Sequence, residues 1–255
     1  APVATDILDC ESFLACLEVN PDATRLLWEA KLPTGDNSRF ESDPLVHEGR
    51  VFVLASQKVS GREVSKVHCY NLNSGTPDLL WSCEVASETT AAQLEENKQA
   101  FLTLAGSLVV ATSRGGSVTA VDQKTGKTVW LRLVAPNENA RSIKTPTPLR
   151  AIFHEAMVYH LNPRNRVVQA LDSGSGALVW TRDVENVNQL IAVKDGVLLL
   201  GTENGLRALN ATNGLDSNAW SIPADGSSLP SAGRGFILGN NYIWPTVKGV
   251  FVVDM

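Results

Sequence analysis

The chain has 255 residues, 44% of them hydrophobic, and carries 22 Lys and Arg against 27 Asp and Glu, a formal net charge of -5. Size and apolar content suffice for a substantial core, while the acidic balance and the lack of a Lys/Arg cluster exclude a groove for nucleic acid. No run of about eighteen apolar residues is present to span a membrane as a helix, and Ala1-Pro2-Val3-Ala4-Thr5-Asp6 lacks the basic and apolar regions of a signal peptide.

The first β-type run is Ala15-Cys16-Leu17-Glu18, which a polar turn at Asp22 joins to a second run ending in Trp28. His68-Cys69-Tyr70-Asn71 leads in the same way through Gly75 to Trp81. The pattern is clearest at Val118-Thr119-Ala120-Val121-Asp122-Gln123-Lys124-Thr125-Gly126-Lys127-Thr128-Val129-Trp130. It returns at Val168-Gln169-Ala170-Leu171-Asp172-Ser173-Gly174-Ser175-Gly176-Ala177-Leu178-Val179-Trp180. Arg207-Ala208-Leu209-Asn210 through Gly214 to Trp220 is a looser copy, and Val250-Phe251-Val252-Val253-Asp254 begins another. The motif tryptophans recur at intervals of about 40 to 53 residues.

Ahead of each hairpin lies another pair of short runs around a tight turn. Examples are Phe101 to Leu104 and Ser107 to Thr112 about Ala105-Gly106, Ile191 to Val193 and Val197 to Thr202 about Lys194-Asp195-Gly196, and Phe236 to Leu238 and Tyr242 to Trp244 about Gly239-Asn240-Asn241. Each unit therefore holds four strands, a to d, and repeated four-stranded antiparallel units of this length predict an all-β fold, a β-propeller. The chain reads as a single propeller domain over 1-255 with five to six blades, approximately 1-32, 43-85, 101-134, 148-184, 187-222 and 234-255. Residues 12 to 19 duplicate a c strand that the last unit also supplies, which predicts that the ring in full would hold seven or eight blades.

The Ala-x-Asp-x-x-Thr-Gly-x-x-x-Trp pattern at 120 to 130 resembles the repeat of the quinoprotein-like (pyrroloquinoline quinone, PQQ) propellers. That superfamily holds both dehydrogenases and the outer-membrane assembly lipoprotein of the barrel-insertion machinery, so the resemblance speaks for fold more than for chemistry. It implies that Asp122, Gly126, Asp172 and Gly176 shape c to d turns, and that Trp28, Trp81, Trp130, Trp180 and Trp220 fill the space between blades. In the quinoprotein dehydrogenases an adjacent cysteine pair faces the cofactor and a carboxylate and amide hold calcium; this chain has no adjacent cysteines. Two readings follow. The first is a non-catalytic scaffold with no cofactor or metal, binding a protein or an extracellular polymer in the periplasm, cell envelope or extracellular space. The alternative is the propeller portion of a PQQ- and calcium-dependent oxidoreductase.

No catalytic residue, metal cluster or phosphate loop stands out. Folding strands c and d of the second unit about Gly75 and Thr76 sets Cys69 opposite Cys83, where either a disulfide or two small residues in one sheet would fit. Cys10 and Cys16 could close a short loop. The a to b turns are short, whereas the d to a connections at 33 to 43, 84 to 100, 133 to 147 and 221 to 234, and the b to c loop at 56 to 66, are long. Both kinds of loop emerge on one face of an up-and-down blade, which is where a partner would bind. Candidate contacts there are Arg62 on the b to c loop, Glu95 and Lys98 on a segment with the composition of a short helix over 89 to 100, and Asn139, Arg141 and Lys144.

Overall fold

The computed structural model describes residues 12–21, 23–32, 38–89, 100–133, 150–162, 167–184, 187–222 and 229–255. Sheet I is β1 (Phe13–Asn20) and β2 (Ala23–Lys31). Sheet II contains β3 (Arg39–Phe40), β4 (Leu45–His47), β5 (Arg50–Val59), β6 (Arg62–Asn71) and β7 (Asp78–Thr89). Sheet III is β8 (Phe101–Ala105), β9 (Leu108–Thr112), β10 (Val118–Asp122) and β11 (Thr128–Arg132). Sheet IV is β12 (Ile152–His154), β13 (Met157–Asn162), β14 (Val167–Asp172) and β15 (Leu178–Asp183). Sheet V is β16 (Val187–Lys194), β17 (Val197–Thr202), β18 (Gly205–Asn210) and β19 (Asp216–Ile222), and sheet VI is β20 (Phe236–Leu238), β21 (Asn241–Thr246) and β22 (Gly249–Asp254).

Every ladder is antiparallel and, apart from β3, which pairs with β5 alongside β4, joins strands adjacent in the chain, so sheets II to V are up-and-down blades of a β-propeller. The a strands gather at the centre, where β8 touches β4 and β12 touches both β8 and β16. The b strands are buried on both faces, as Val109 to Thr112 and Leu198 to Leu200 illustrate, which is why they read as apolar runs and not as alternations. One apolar cluster fills each gap between successive sheets, from Leu14, Trp28 and Val53 between sheets I and II to Leu206, Tyr242 and Trp244 between V and VI. Sheet I corresponds to strands c and d and sheet VI to strands a, b and c. Among the described residues no ladder joins these two.

The repeat motif builds the contacts between blades. In the c to d turns of sheets III and IV the Asp carboxylate accepts hydrogen bonds from the residues that follow: Asp122 from the Lys124 and Thr125 amides and the Thr125 hydroxyl, Asp172 from the amide and hydroxyl of Ser175. Those bonds, the Thr125 and Ser175 hydroxyls foremost, hold both carboxyls below the usual range. The glycine closes the turn at positive φ, +71° at Gly126 and +69° at Gly176, a conformation in which glycine alone is unstrained.

Each glycine is also the seat for the tryptophan of the preceding blade. A Cβ at Gly126 would lie 2.7 Å from the Trp81 ring, one at Gly176 2.6 Å from Trp130, and one at Gly214 2.6 Å from Trp180. The indole Nε1 then donates to a carbonyl of the same turn: Trp81 to Gln123 at 3.2 Å, Trp130 to Ser173 at 2.7 Å and Trp180 to Ala211 at 2.8 Å. Trp28 differs. Gly75 has nothing within 4 Å, the Trp28 Nε1 is buried with no acceptor, and the ring lies against Tyr70 instead. Trp220 belongs to β19, and its side chain lies outside the described residues.

A β-bulge one residue before each tryptophan turns the ring toward its seat. Ala120 pairs with Trp130 and Val121 with Thr128, so Val129 is skipped; Ala170 with Trp180, Cys69 with Trp81 and Cys16 with Trp28 repeat the arrangement. The residue opposite each indole is small, Ala or Cys, which accounts for Cys16 and Cys69 as space-sparing core residues. The directly opposed Cys69 and Cys83 pair does not form. The bulge and a turn reaching from Leu72 to Pro77 place Cys83 opposite Val67, and Cys16, Cys69 and Cys83 are free thiols. Burial raises the Cys69 thiol to about 11, so it is an inert thiol at neutral pH.

Replacing Gly126 with Ala should cost more than replacing Gly106, which shares a positive φ of +60° but has nothing within 4 Å of a Cβ. Urea denaturation should show Gly126→Ala as the less stable variant by about 1–3 kcal/mol, the penalty of forcing a methyl group into a filled site.

Candidate functional site

The a to b turns, such as Glu48-Gly49, Gly106-Ser107 and Asp195-Gly196, lie with the c to d turns on one face. The described b to c turns lie on the other, where the d strands end and the a strands begin. The structure corrects one expectation on this second face: residues 56 to 66 are not a loop. Strands β5 and β6 run on to a two-residue turn at Ser60 (φ +49°) and Gly61 (φ +76°), and β7 continues beside them to Thr89. Such a turn with two positive φ values matches the twist of a hairpin. Strand β5 has 10 residues where β9 has 5, so it is about 16 Å longer at about 3.3 Å per residue, and the end of this three-stranded ladder is exposed over 58 to 62.

A buried charge cluster braces one side of this extension up to the pair next to its turn. Arg114, in the b to c turn of sheet III, reaches Glu63 on β6 at 3.2 Å and Glu41 at 3.4 Å. Arg39 binds the same two carboxylates at 2.9 and 3.0 Å, and the Ser56 hydroxyl donates to Glu41 at 2.7 Å. Burial raises the Glu41 pKa, aided by the charge of Glu63 and opposed by the hydrogen bond from Ser56, the charge of Arg114 and the hydrogen bond from Arg39. Its second carboxylate oxygen, Oε2, is buried without a hydrogen-bond partner. The arrangement ties the projection to the next blade and makes it a rigid feature.

Arg62 is the first residue of β6, exposed at the tip of the projection, opposite Val59 and Thr89. Glu95, Lys98, Asn139, Arg141 and Lys144 lie outside the described residues, as does 90–99 of the expected helix, while Thr89 ends β7. Trp244 is a core residue, 1% exposed, packed with Phe251, Tyr242 and Leu206. Beneath the same face His160 is fully buried on β13, and burial lowers its pKa to about 4, opposed by the Gly116 carbonyl and aided by the charge of Arg132. Among the described residues no three His, Cys, Asp or Glu side chains are grouped to hold a metal ion, and no helix is long and apolar enough to cross a membrane.

A ring of four-stranded blades joined by tryptophans seated on turn glycines defines a PQQ-type β-propeller. The family model described as outer membrane protein assembly factor BamB matches residues 15–229, and the chain belongs to that family. It is 28% identical over 180 residues to the outer membrane protein assembly factor BamB of Yersinia pestis, an alignment spanning 66% of this chain and 44% of that protein. The crystal structure of BamB from Moraxella catarrhalis superposes with a TM-score of 0.55 at 15% identity, covering 95% of this chain and 71% of the other. The quinohemoprotein alcohol dehydrogenase of Comamonas testosteroni shares the fold with the same TM-score and identity, over 84% and 41% of the two chains. The chain thus spans about half or less of the Yersinia relative's length.

Two outcomes follow from this geometry. Arg114→Leu leaves Glu41 and Glu63 buried without that cation, so amide exchange across 56 to 65 should accelerate and stability should fall by about 2–4 kcal/mol. His160 has a folded-state pKa below its usual 6.5, so the unfolded chain takes up the proton first and stability declines as pH falls from 6.5 toward 4. Between pH 7 and 4.5 this group should account for about 2 kcal/mol, and the urea midpoint of His160→Phe should shift less over that interval than that of the parent chain.

Proposed function

We propose that this chain is a non-catalytic scaffold that binds a protein partner in outer-membrane protein assembly, through the face bearing the long connections and the projecting ladder. The observation that carries this reading is the projection itself. Strands β5 to β7 extend well beyond what the blade needs, and a buried ion cluster holds them rigid. A preorganised, exposed ladder end lowers the ordering cost of association. Membership of the BamB family supports both the type of partner and a cell-envelope location. The motif aspartates are engaged in their turns, which leaves them without a role in an oxidoreductase of the PQQ type.

Site-specific photo-crosslinking in a Gram-negative envelope tests the reading. A photoreactive residue in place of Arg62 should capture components of the outer-membrane assembly machinery, while one in place of Lys124, on the opposite face, should not. Equal capture from both positions would contradict it. A quinone absorbance together with dye-linked alcohol oxidation, after addition of PQQ and calcium, would favour the dehydrogenase reading instead.

A further inference from the structure

At the centre of the same face two arginines converge on one aromatic ring. Phe101 opens β8, Arg150 lies just ahead of β12 and Arg234 just ahead of β20, so all three stand where a strands enter the channel. The Arg234 guanidinium carbon is 5.3 Å and that of Arg150 6.0 Å from the Phe101 ring centroid. Sheets III and VI are separated along the ring by IV and V, so the contact from Arg234 to Phe101 crosses the channel mouth. Phe101 is buried, whereas both arginines are exposed.

The backbone carrying Arg234 is fixed on both sides. The Gln189 side chain clamps the next residue, donating to the Gly235 carbonyl at 3.0 Å and accepting from its amide at 3.1 Å, and the Tyr242 hydroxyl holds the Gln189 oxygen at 2.9 Å. Gly235 has no space for a side chain, since a Cβ would lie 2.3 Å from the Ile243 carbonyl. Ahead of it, the Ala232 amide donates to the Pro245 carbonyl and Ser231 bridges to Thr246. A short, doubly anchored segment of one blade therefore presents a guanidinium over the ring of another.

The charge at this mouth is unbalanced. Arg150 pairs with Asp43 at 3.1 Å, an aspartate whose side chain is 81% exposed. Among the described residues Arg234 meets no carboxylate; its partner is the aromatic face, which attracts a cation without neutralising it. The protein as a whole is acidic, at -5, and the Arg234 guanidinium, not neutralised by a carboxylate among the described residues, attracts an approaching anion to this mouth. A guanidinium fork matches a carboxylate in plane and spacing.

We propose that Arg234 and Arg150, set over Phe101, form a binding site for the carboxylates of an acidic peptide segment of the partner. This rests on the reading of the long-connection face as the protein-binding face and names the chemistry recognised at its centre. Asp43 occupies Arg150 in the free protein and is displaced when the peptide binds.

Fluorescence anisotropy with a labelled, C-terminally amidated hexaglutamate peptide tests the site, against hexaglutamine with a free C-terminus. The hexaglutamate should bind, with an affinity that falls as salt rises, and hexaglutamine should not. Arg234→Gln should weaken binding about tenfold or more and Arg234→Lys by less. Asp43→Asn should tighten binding several-fold by freeing Arg150, a gain that a purely structural role for these arginines would not produce. Both Arg234 and Asp43 are exposed, so the variants should keep the parent urea midpoint. Equal binding of both peptides, no effect of Arg234→Gln, or binding of phosphatidylglycerol vesicles but not of the peptide would overturn the proposal. Capture at Arg62 without hexaglutamate binding would overturn the site and leave the protein-binding face standing; failure of both would remove both.

Discussion

The fold depends on one repeated contact, an indole resting on a glycine that belongs to the next blade. A four-stranded blade is too thin to bury its own apolar faces and must stack on neighbours. In this chain the stacking is specified by Trp81, Trp130 and Trp180, each of which buries its ring against a turn with no room for a methyl group and caps a backbone carbonyl with its Nε1. The contact is both apolar and directional, so it sets the angle between blades as well as their attraction. Thr119 and Thr103 add hydroxyl bonds to Val85 and Ala151 across the same gaps.

The interface between sheets I and II has the tryptophan without the seat. Trp28 keeps its bulge and its small opposite residue, Cys16, yet Gly75 lies in a longer turn and is out of reach. An open cleft lined by Leu26, Leu27, Leu72 and Asn73 marks the site. With its indole donor unsatisfied, this gap is held by apolar contact among Leu14, Trp28, Val53 and Tyr70, and it opens more easily than the gaps closed by Trp81, Trp130 and Trp180.

Most of the fold could be read from the residues because the repeat writes the same turn and the same indole several times over. What the sequence did not display were features that leave no periodic trace. Residues 57 to 62 are mostly polar because the end of the ladder is open to solvent, and the groups buried just below it, Glu63 and Ser56, are themselves polar, so these strands lack the apolar alternation that marks a strand elsewhere. The turn over Leu72 to Pro77 is centred earlier than Gly75-Thr76, and the one-residue bulge beside Cys69 makes up only part of the difference, which leaves Cys83 opposite Val67. On the candidate site, Arg62 was legible as exposed and on the long-connection face. The clusters of Arg114 with Glu41 and Glu63, and of Arg234 with Phe101, join residues 51 to 133 positions apart, and single charges so far separated carry no local signal.

The central claim is that the tryptophan and the glycine act as one unit across the blade gap. A double-mutant cycle on Trp130 and Gly176, followed by urea unfolding, measures this directly. If the ring is what excludes a side chain at 176, Gly176→Ala should cost about 1–2 kcal/mol less in a Trp130→Ala background than in the parent, the magnitude usual for residues in contact. Additive effects, with the glycine substitution costing the same whether or not the ring is present, would contradict the account.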